Sequence, residues 1–219
     1  MDDQLSRTKD LYRVVNRLPR ITYPFDSSAL PNNGIYLFFE EGEVINSFGE
    51  QHSRIVRVGT HRKDSRFRAR IRQHYGQVNS ERGNKNGSIF RKHVGGALLG
   101  CIDIEHPALP AWYHNRLKGA DEHEIAVSRR LRGRFTFVCF EVPIASERLD
   151  LESGLIAQLA QYPLDSPSPS WLGYFAKNDT IRAFGLWNTQ RVSAEPLSAR
   201  QLDRISELVE KSIEGRAPI

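Results

Sequence analysis

Gly34-Ile35-Tyr36-Leu37-Phe38-Phe39 is an unbroken apolar run that reads as a short β-strand. Arg54 to Gly59 alternates well enough for a second strand, and the two predict an antiparallel hairpin. Glu40 to Gln51, polar and holding two glycines, is expected to be its long loop. The strongest strand signal comes much later, at Phe135-Thr136-Phe137-Val138-Cys139-Phe140-Glu141-Val142, ended by Pro143. Most of the remaining pattern is helical. This predicts an α/β (α+β) chain: a small mixed or antiparallel sheet with flanking helices, in one domain spanning residues 1–219.

Leu11, Val14, Val15 and Leu18 share one helix face before Pro19. Asp64 or Ser65 is the expected cap of the next helix, with Phe67 and Ile71 apolar and Gly76 ending it. Residues 79–87 read as a loop. Helices follow over Ser88–Leu99, burying Ile89, Val94, Leu98 and Leu99, and over Asp121–Leu131. Ser146 is the expected cap of a helix to Tyr162, with Leu151, Leu155, Leu159 and Tyr162 as its stripe. After the punctuation of Ser166-Pro-Ser-Pro-Ser170, residues 197–213 form a closing amphipathic helix with Leu202, Ile205, Leu208 and Val209 inward.

The composition, 39% hydrophobic and 26% charged, is that of a folded soluble chain. A net charge of +5 favours a polyanionic partner, and its distribution is more pointed than its sum. Residues 54–74 carry eight basic side chains (Arg54, Arg57, Arg62, Lys63, Arg66, Arg68, Arg70, Arg72) against Asp64 alone. Cys101 and Cys139 lie far apart without metal-site spacing, which argues against a zinc site or disulfide framework and fits a reducing compartment. With neither a signal-peptide pattern at the start nor a membrane-length apolar run, the expectation is a cytoplasmic protein.

Eleven residues beyond Gly59 comes Arg70-Ile71-Arg72-Gln73-His74. The order of Gly34-Ile35-Tyr36, a strand ending in Gly59, this helix, and a later Glu152-Ser153-Gly154-Leu155-Ile156 resembles the catalytic core of the GIY-YIG nucleases. The resemblance is close over residues 33–75 and looser to 190, which makes 33–190 the core, 1–32 an N-terminal extension and 195–219 a C-terminal helix. It implies Tyr36 as general base, with surrounding arginines favouring the phenolate. It implies Arg70 as the group that grips the scissile phosphate through parallel hydrogen bonds. His74, one turn on, is placed to bond water, Tyr36 or phosphate. His61 is a further candidate, Asn188 matches the family's late asparagine, and Arg57 stands where the second motif has tyrosine, in Arg-Val-Gly for Tyr-Ile-Gly.

Glu152 is implied as the ligand of Mg²⁺ or Mn²⁺, with Glu147 and Asp150 as competitors that also suit a helix N-terminus. Arg62, Lys63, Arg66, Arg82 and Lys85 are the expected nucleic-acid contacts, the last two from the 79–87 loop. The implied activity is metal-dependent hydrolysis of DNA, with RNA as an open alternative substrate and a homodimer as a possible assembly. The alternatives are a nucleic-acid-binding protein that kept the fold without catalysis, motivated by Arg57, and a basic docking surface for an acidic protein.

Overall fold

The computed structural model describes residues 2–46, 49 and 51–215. Its sheet has three strands, β1 (Gly34–Ile45), β2 (His52–Gly59) and β3 (Phe135–Glu141), in the order β2-β1-β3. Every pairing is antiparallel, which settles the mixed-or-antiparallel alternative. β1 runs six residues past the apolar stretch that announces it, so the hairpin connection shrinks to 46–51; residues 47, 48 and 50 of the expected loop lie outside the described residues. Glu40 and Glu43, read as loop, are strand residues and both are buried.

As the central strand, β1 has both faces covered. Ile35, Leu37 and Phe39 point into one core, and Tyr36 and Phe38 into the other, which is why the sequence there does not alternate. The first core is closed by α1 (Asp2–Val15), α6 (Ala145–Gln161) and α8 (Ala199–Glu214). The second is closed by α2 (Phe67–Tyr75), α3 (Ile89–Ile102), α4 (Ala108–Tyr113) and α5 (Ala120–Arg134), with Ile181 of the short α7 (Asp179–Phe184). The N-terminal helix is thus built into the first core through Leu11, Tyr12 and Val15.

Both sheet edges are covered, which removes unpaired backbone from the surface. At β3, Ile21 exchanges N–H···O bonds with Phe137 at 2.8 and 3.0 Å. At β2, the Trp187 N–H donates to Val56 O at 2.7 Å. The Asn188 side chain then satisfies both backbone groups of Val58, at 3.0 and 2.9 Å.

Several expected caps differ. α2 starts after Arg66, which makes no side-chain cap bond, instead of at Asp64 or Ser65; Asp64 is engaged with Arg148 at 2.9 Å. α6 starts after Ile144, also without a side-chain cap. Ser88, expected as the first helical residue, is the cap of α3, accepting from the Arg91 N–H, and the face turned inward is Phe90, Val94, Ala97 and Leu99, with Ile89 left 44% exposed. α4 and α7, six residues each, carry no periodic signature to announce them.

Candidate active site

Two glycines explain how the first strands bring groups together. A Cβ on Gly34 would sit 2.4 Å from Phe140 O of β3, so only glycine allows that approach. Gly59 lies opposite Tyr36 in the β1–β2 register, and a Cβ there would be 2.2 Å from the Tyr36 hydroxyl. The phenol therefore lies across the end of β2.

There it meets α2. Tyr36 Oη is 2.8 Å from His74 Nε2, and His74 Nδ1 is 2.8 Å from Ser88 Oγ. All three residues are fully buried. Burial, followed by the nearby Arg70, Arg57 and Arg91 cations, pushes the His74 pKa well below the ordinary imidazole value. A neutral ring donates from one nitrogen and accepts at the other, so His74 links the phenol to the serine in either tautomer.

Arg57 reaches the same place because of a β-bulge: the register steps from Phe38↔Arg57 to Phe39↔Ile55, leaving Val56 without a partner. Its guanidinium bonds Tyr36, donates from Nη1 to Trp187 O at 2.7 Å and lies 4.8 Å from the centre of the Phe90 ring. Burial lowers its pKa, and Tyr36 opposes that shift. Its Nε has no partner among the described residues.

Glu152 enters from α6, on the other side of the sheet's end. The half-buried carboxylate accepts from the Thr60 N–H and lies in the field of Arg57, Arg70 and Arg191. Burial raises its pKa, and those arginines pull it back down. Glu147 and Asp150 are committed to α8 instead, through Arg204 at 2.7 Å and Gln201 at 2.8 Å. Arg70 is half-buried, with Nη1 donating to Gly87 O at 2.9 Å.

The sequence-selected residues thus divide. Tyr36, Arg57, Arg70, His74 and Glu152 gather in one place, and Arg62, Lys63 and Arg66 are exposed beside it with no ion pair among the described residues. His61 is a structural bracket: Nε2 accepts the Gly34 N–H at 3.2 Å, and Nδ1 bonds Lys63 O at 2.7 Å, which fixes the tautomer and leaves neither nitrogen free. Asn188 likewise spends its amide on the β2 edge. Lys85 is no surface contact. It is 6% exposed, with Nζ 4.4 Å from the Trp112 ring centre, and its N–H donates to Glu124 at 2.6 Å. Arg82 is exposed and paired with Asp121 at 3.3 Å.

Sequence reasoning missed Ser88, Thr60 and Arg191. Ser88 was read only as the first residue of a helix. Arg191 sits at positive φ in an irregular segment, where no pattern ties it to Glu152.

Among the described residues no three His, Cys, Asp or Glu side chains form a metal-binding group. Glu152 alone still fits a hard divalent cation such as Mg²⁺, which keeps several waters and takes further oxygens from a substrate phosphate. The same arginines that attract a phosphate repel a bare cation from that carboxylate, so this donor set suits a metal arriving with substrate.

A family model described as a GIY-YIG domain matches residues 4–214. No curated protein and no solved structure matches.

Proposed function

The chain belongs to the GIY-YIG domain family, and on that premise we propose that it is a divalent-metal-dependent endonuclease hydrolysing phosphodiester bonds of DNA. The observation that carries this reading is the meeting of Tyr36, His74, Arg57, Arg70 and Glu152 at the end of the β1–β2 hairpin. A phosphodiester resists hydrolysis because its charge repels nucleophiles and its alkoxide is a poor leaving group. The cluster holds a group for each difficulty.

Tyr36 takes the proton of the attacking water as its own phenolic proton passes to Nε2 of the neutral His74 ring, which Ser88 orients through Nδ1. Arg57 holds the phenol and stabilises its anion. Arg70, half-exposed, offers two parallel donors to the phosphoryl oxygens. Glu152 would hold Mg²⁺ or Mn²⁺ together with the substrate. Bound there, the cation supplies charge stabilisation at the leaving oxygen. Arg62, Lys63, Arg66 and Arg191 extend the positive field over the flanking backbone.

One observation favours a second reading, a binding protein without catalysis. The Tyr36 hydroxyl is covered, in contact with His74, Arg57 and Gly59, and its residue has no exposed surface. Catalysis then requires that substrate binding open the phenol to water.

Incubation of supercoiled plasmid with the protein in Mg²⁺, Mn²⁺ or EDTA separates the two. The nuclease reading expects nicked and linear forms with metal and none with EDTA. Salt-sensitive binding without cutting under any metal refutes it in favour of the binder.

A further inference from the structure

A flank of α2 next to the one bearing Arg70 and His74 borders a cavity of about 480 Å³ that none of the roles above uses. Its size falls within the ~300–1,000 Å³ of small-molecule sites. One wall is aromatic. Tyr23 and Tyr75 stack at 5.6 Å with 20° between their planes, and Phe25 meets Tyr75 edge-on at 5.3 Å. Tyr75 is the buried floor, whereas Tyr23 and Phe25 are half-buried.

The polar lining is as specific. The exposed side chains of Arg72, Gln73 and Asn84 border the cavity. Among the described residues the Arg72 side chain makes one bond, to the neutral Ser27 hydroxyl at 3.1 Å, and has no ion pair. Gln73 and Gly87 line the cavity and also accept from Arg70 Nη1, at 3.4 and 2.9 Å. The cavity therefore opens one side chain away from the arginine assigned to the phosphate.

An aromatic wall suits a flat heterocycle, primary amides can donate to or accept from its edge, and a cation at the rim suits the phosphate attached to it. We propose that this cavity receives one unstacked nucleobase of the bound strand, next to the phosphate held by Arg70. The inference rests on the nucleic-acid reading above and adds a preference: strands that are single, flapped or mismatched are favoured, because there a base leaves its stack at least cost. An apolar peptide side chain would fill the aromatic part but leave Arg72 and both amides without a counterpart.

The test uses the full chain in EDTA, so that cutting plays no part. Two single-stranded oligonucleotides of equal length are compared, one wholly abasic and one carrying a single 2-aminopurine, whose fluorescence is quenched on stacking, among otherwise abasic nucleotides. Wild type is set beside Ala69→Trp. Ala69 lines the cavity and is half-buried, so the larger ring fills the space without removing a core contact. The expected result is quenching by wild type and affinity about tenfold higher for the base-bearing strand. Ala69→Trp should lose both while binding the abasic strand like wild type. Equal affinity for the two strands without quenching overturns the cavity proposal and leaves nucleic-acid binding standing. Equal weakening of both strands by Ala69→Trp overturns it as well, since the filler then acts on backbone contacts. Failure of wild type to bind either strand removes the nucleic-acid reading and the cavity proposal together.

Discussion

Breaking the buried Arg91–Glu124 pair should be among the most damaging changes this fold can suffer, far more so than removing both partners. Arg91 has no exposed surface. Its guanidinium donates to Glu124 Oε2 from Nε and Nη2 at 3.0 and 2.6 Å, to Glu124 O at 2.8 Å, to Ser128 Oγ at 3.0 Å and to His74 O at 2.9 Å. Glu124 Oε1 meanwhile accepts the Lys85 N–H. Glu124→Gln keeps the shape but leaves a buried guanidinium without its counter-charge, which typically costs about 3–5 kcal/mol.

For a chain of this size about 2–4 °C of Tm accompanies each kcal/mol, so the expected fall is roughly 6–20 °C. The paired replacement Arg91→Met with Glu124→Leu removes both charges and their desolvation together. It should recover most of that loss, by about 2 kcal/mol or more. Chemical denaturation of wild type, Arg91→Met, Glu124→Leu and their double variant in a double-mutant cycle measures the coupling directly. A single variant costing under about 1 kcal/mol, or a double variant worse than the sum of the singles, would refute the reasoning. Because Arg91 also holds the carbonyl of His74, the single variant should loosen the Tyr36–His74 bond before the protein unfolds.

Acid should weaken the fold through its buried histidines. Burial depresses His93 to about 4 and His74 well below its ordinary value, so as the pH falls below about 6.5, and down to about 4 for His93, the unfolded chain binds protons that the folded one refuses. This contribution is fully present only well above pH 6.5 and is lost as the pH falls, at up to about 1.4 kcal/mol per pH unit for each of these two groups, and His93→Gln should remove about half of that loss in urea titrations; a flat profile contradicts it. Gly59→Ala places a Cβ 2.2 Å from the Tyr36 hydroxyl, and the crowding should cost about 1–3 kcal/mol with loss of any phosphodiesterase activity; wild-type stability and turnover would show that the close approach is unimportant. Lys63→Ala with Arg66→Ala should lower the salt slope of DNA binding by about 2 without altering the melting temperature; an unchanged slope moves the strand off this surface.

The elements legible in the sequence were those whose local pattern and tertiary setting agree. β1 announced itself because a central strand is buried on both faces and its first six residues need no polar face. α8 did so through a clean amphipathic stripe, to which the structure adds the Ser198 cap with its Gln201 partner. Pattern failed where a distant partner changes what a residue can be. Glu40 looks like the start of a loop, yet it is a strand interior whose carboxylate accepts both the Trp171 and Trp187 indoles and pairs with Arg130. Lys85 looks solvated among Asn and Gly until Trp112 covers it. Arg57 and Val56 face the same core only because of a bulge, which alternation cannot foretell. Motif order placed Tyr36, Arg70, His74 and Glu152 in one neighbourhood, but it could not show that His61 and Asn188 are spent on backbone or that Arg191 joins them from an irregular segment.

The most direct test of the account is the single-turnover cleavage rate of Glu152→Gln against Glu147→Gln, both at saturating Mg²⁺ and with folding verified by their melting temperatures. Glutamine keeps the size of either side chain and removes only its charge. Glu152→Gln should lose about a hundredfold or more, since the carboxylate supports charge developing in the transition state. Glu147→Gln should cut like wild type, because Glu147 serves Arg204. Equal rates for wild type and Glu152→Gln would contradict the assignment of this carboxylate to the metal and to the reaction.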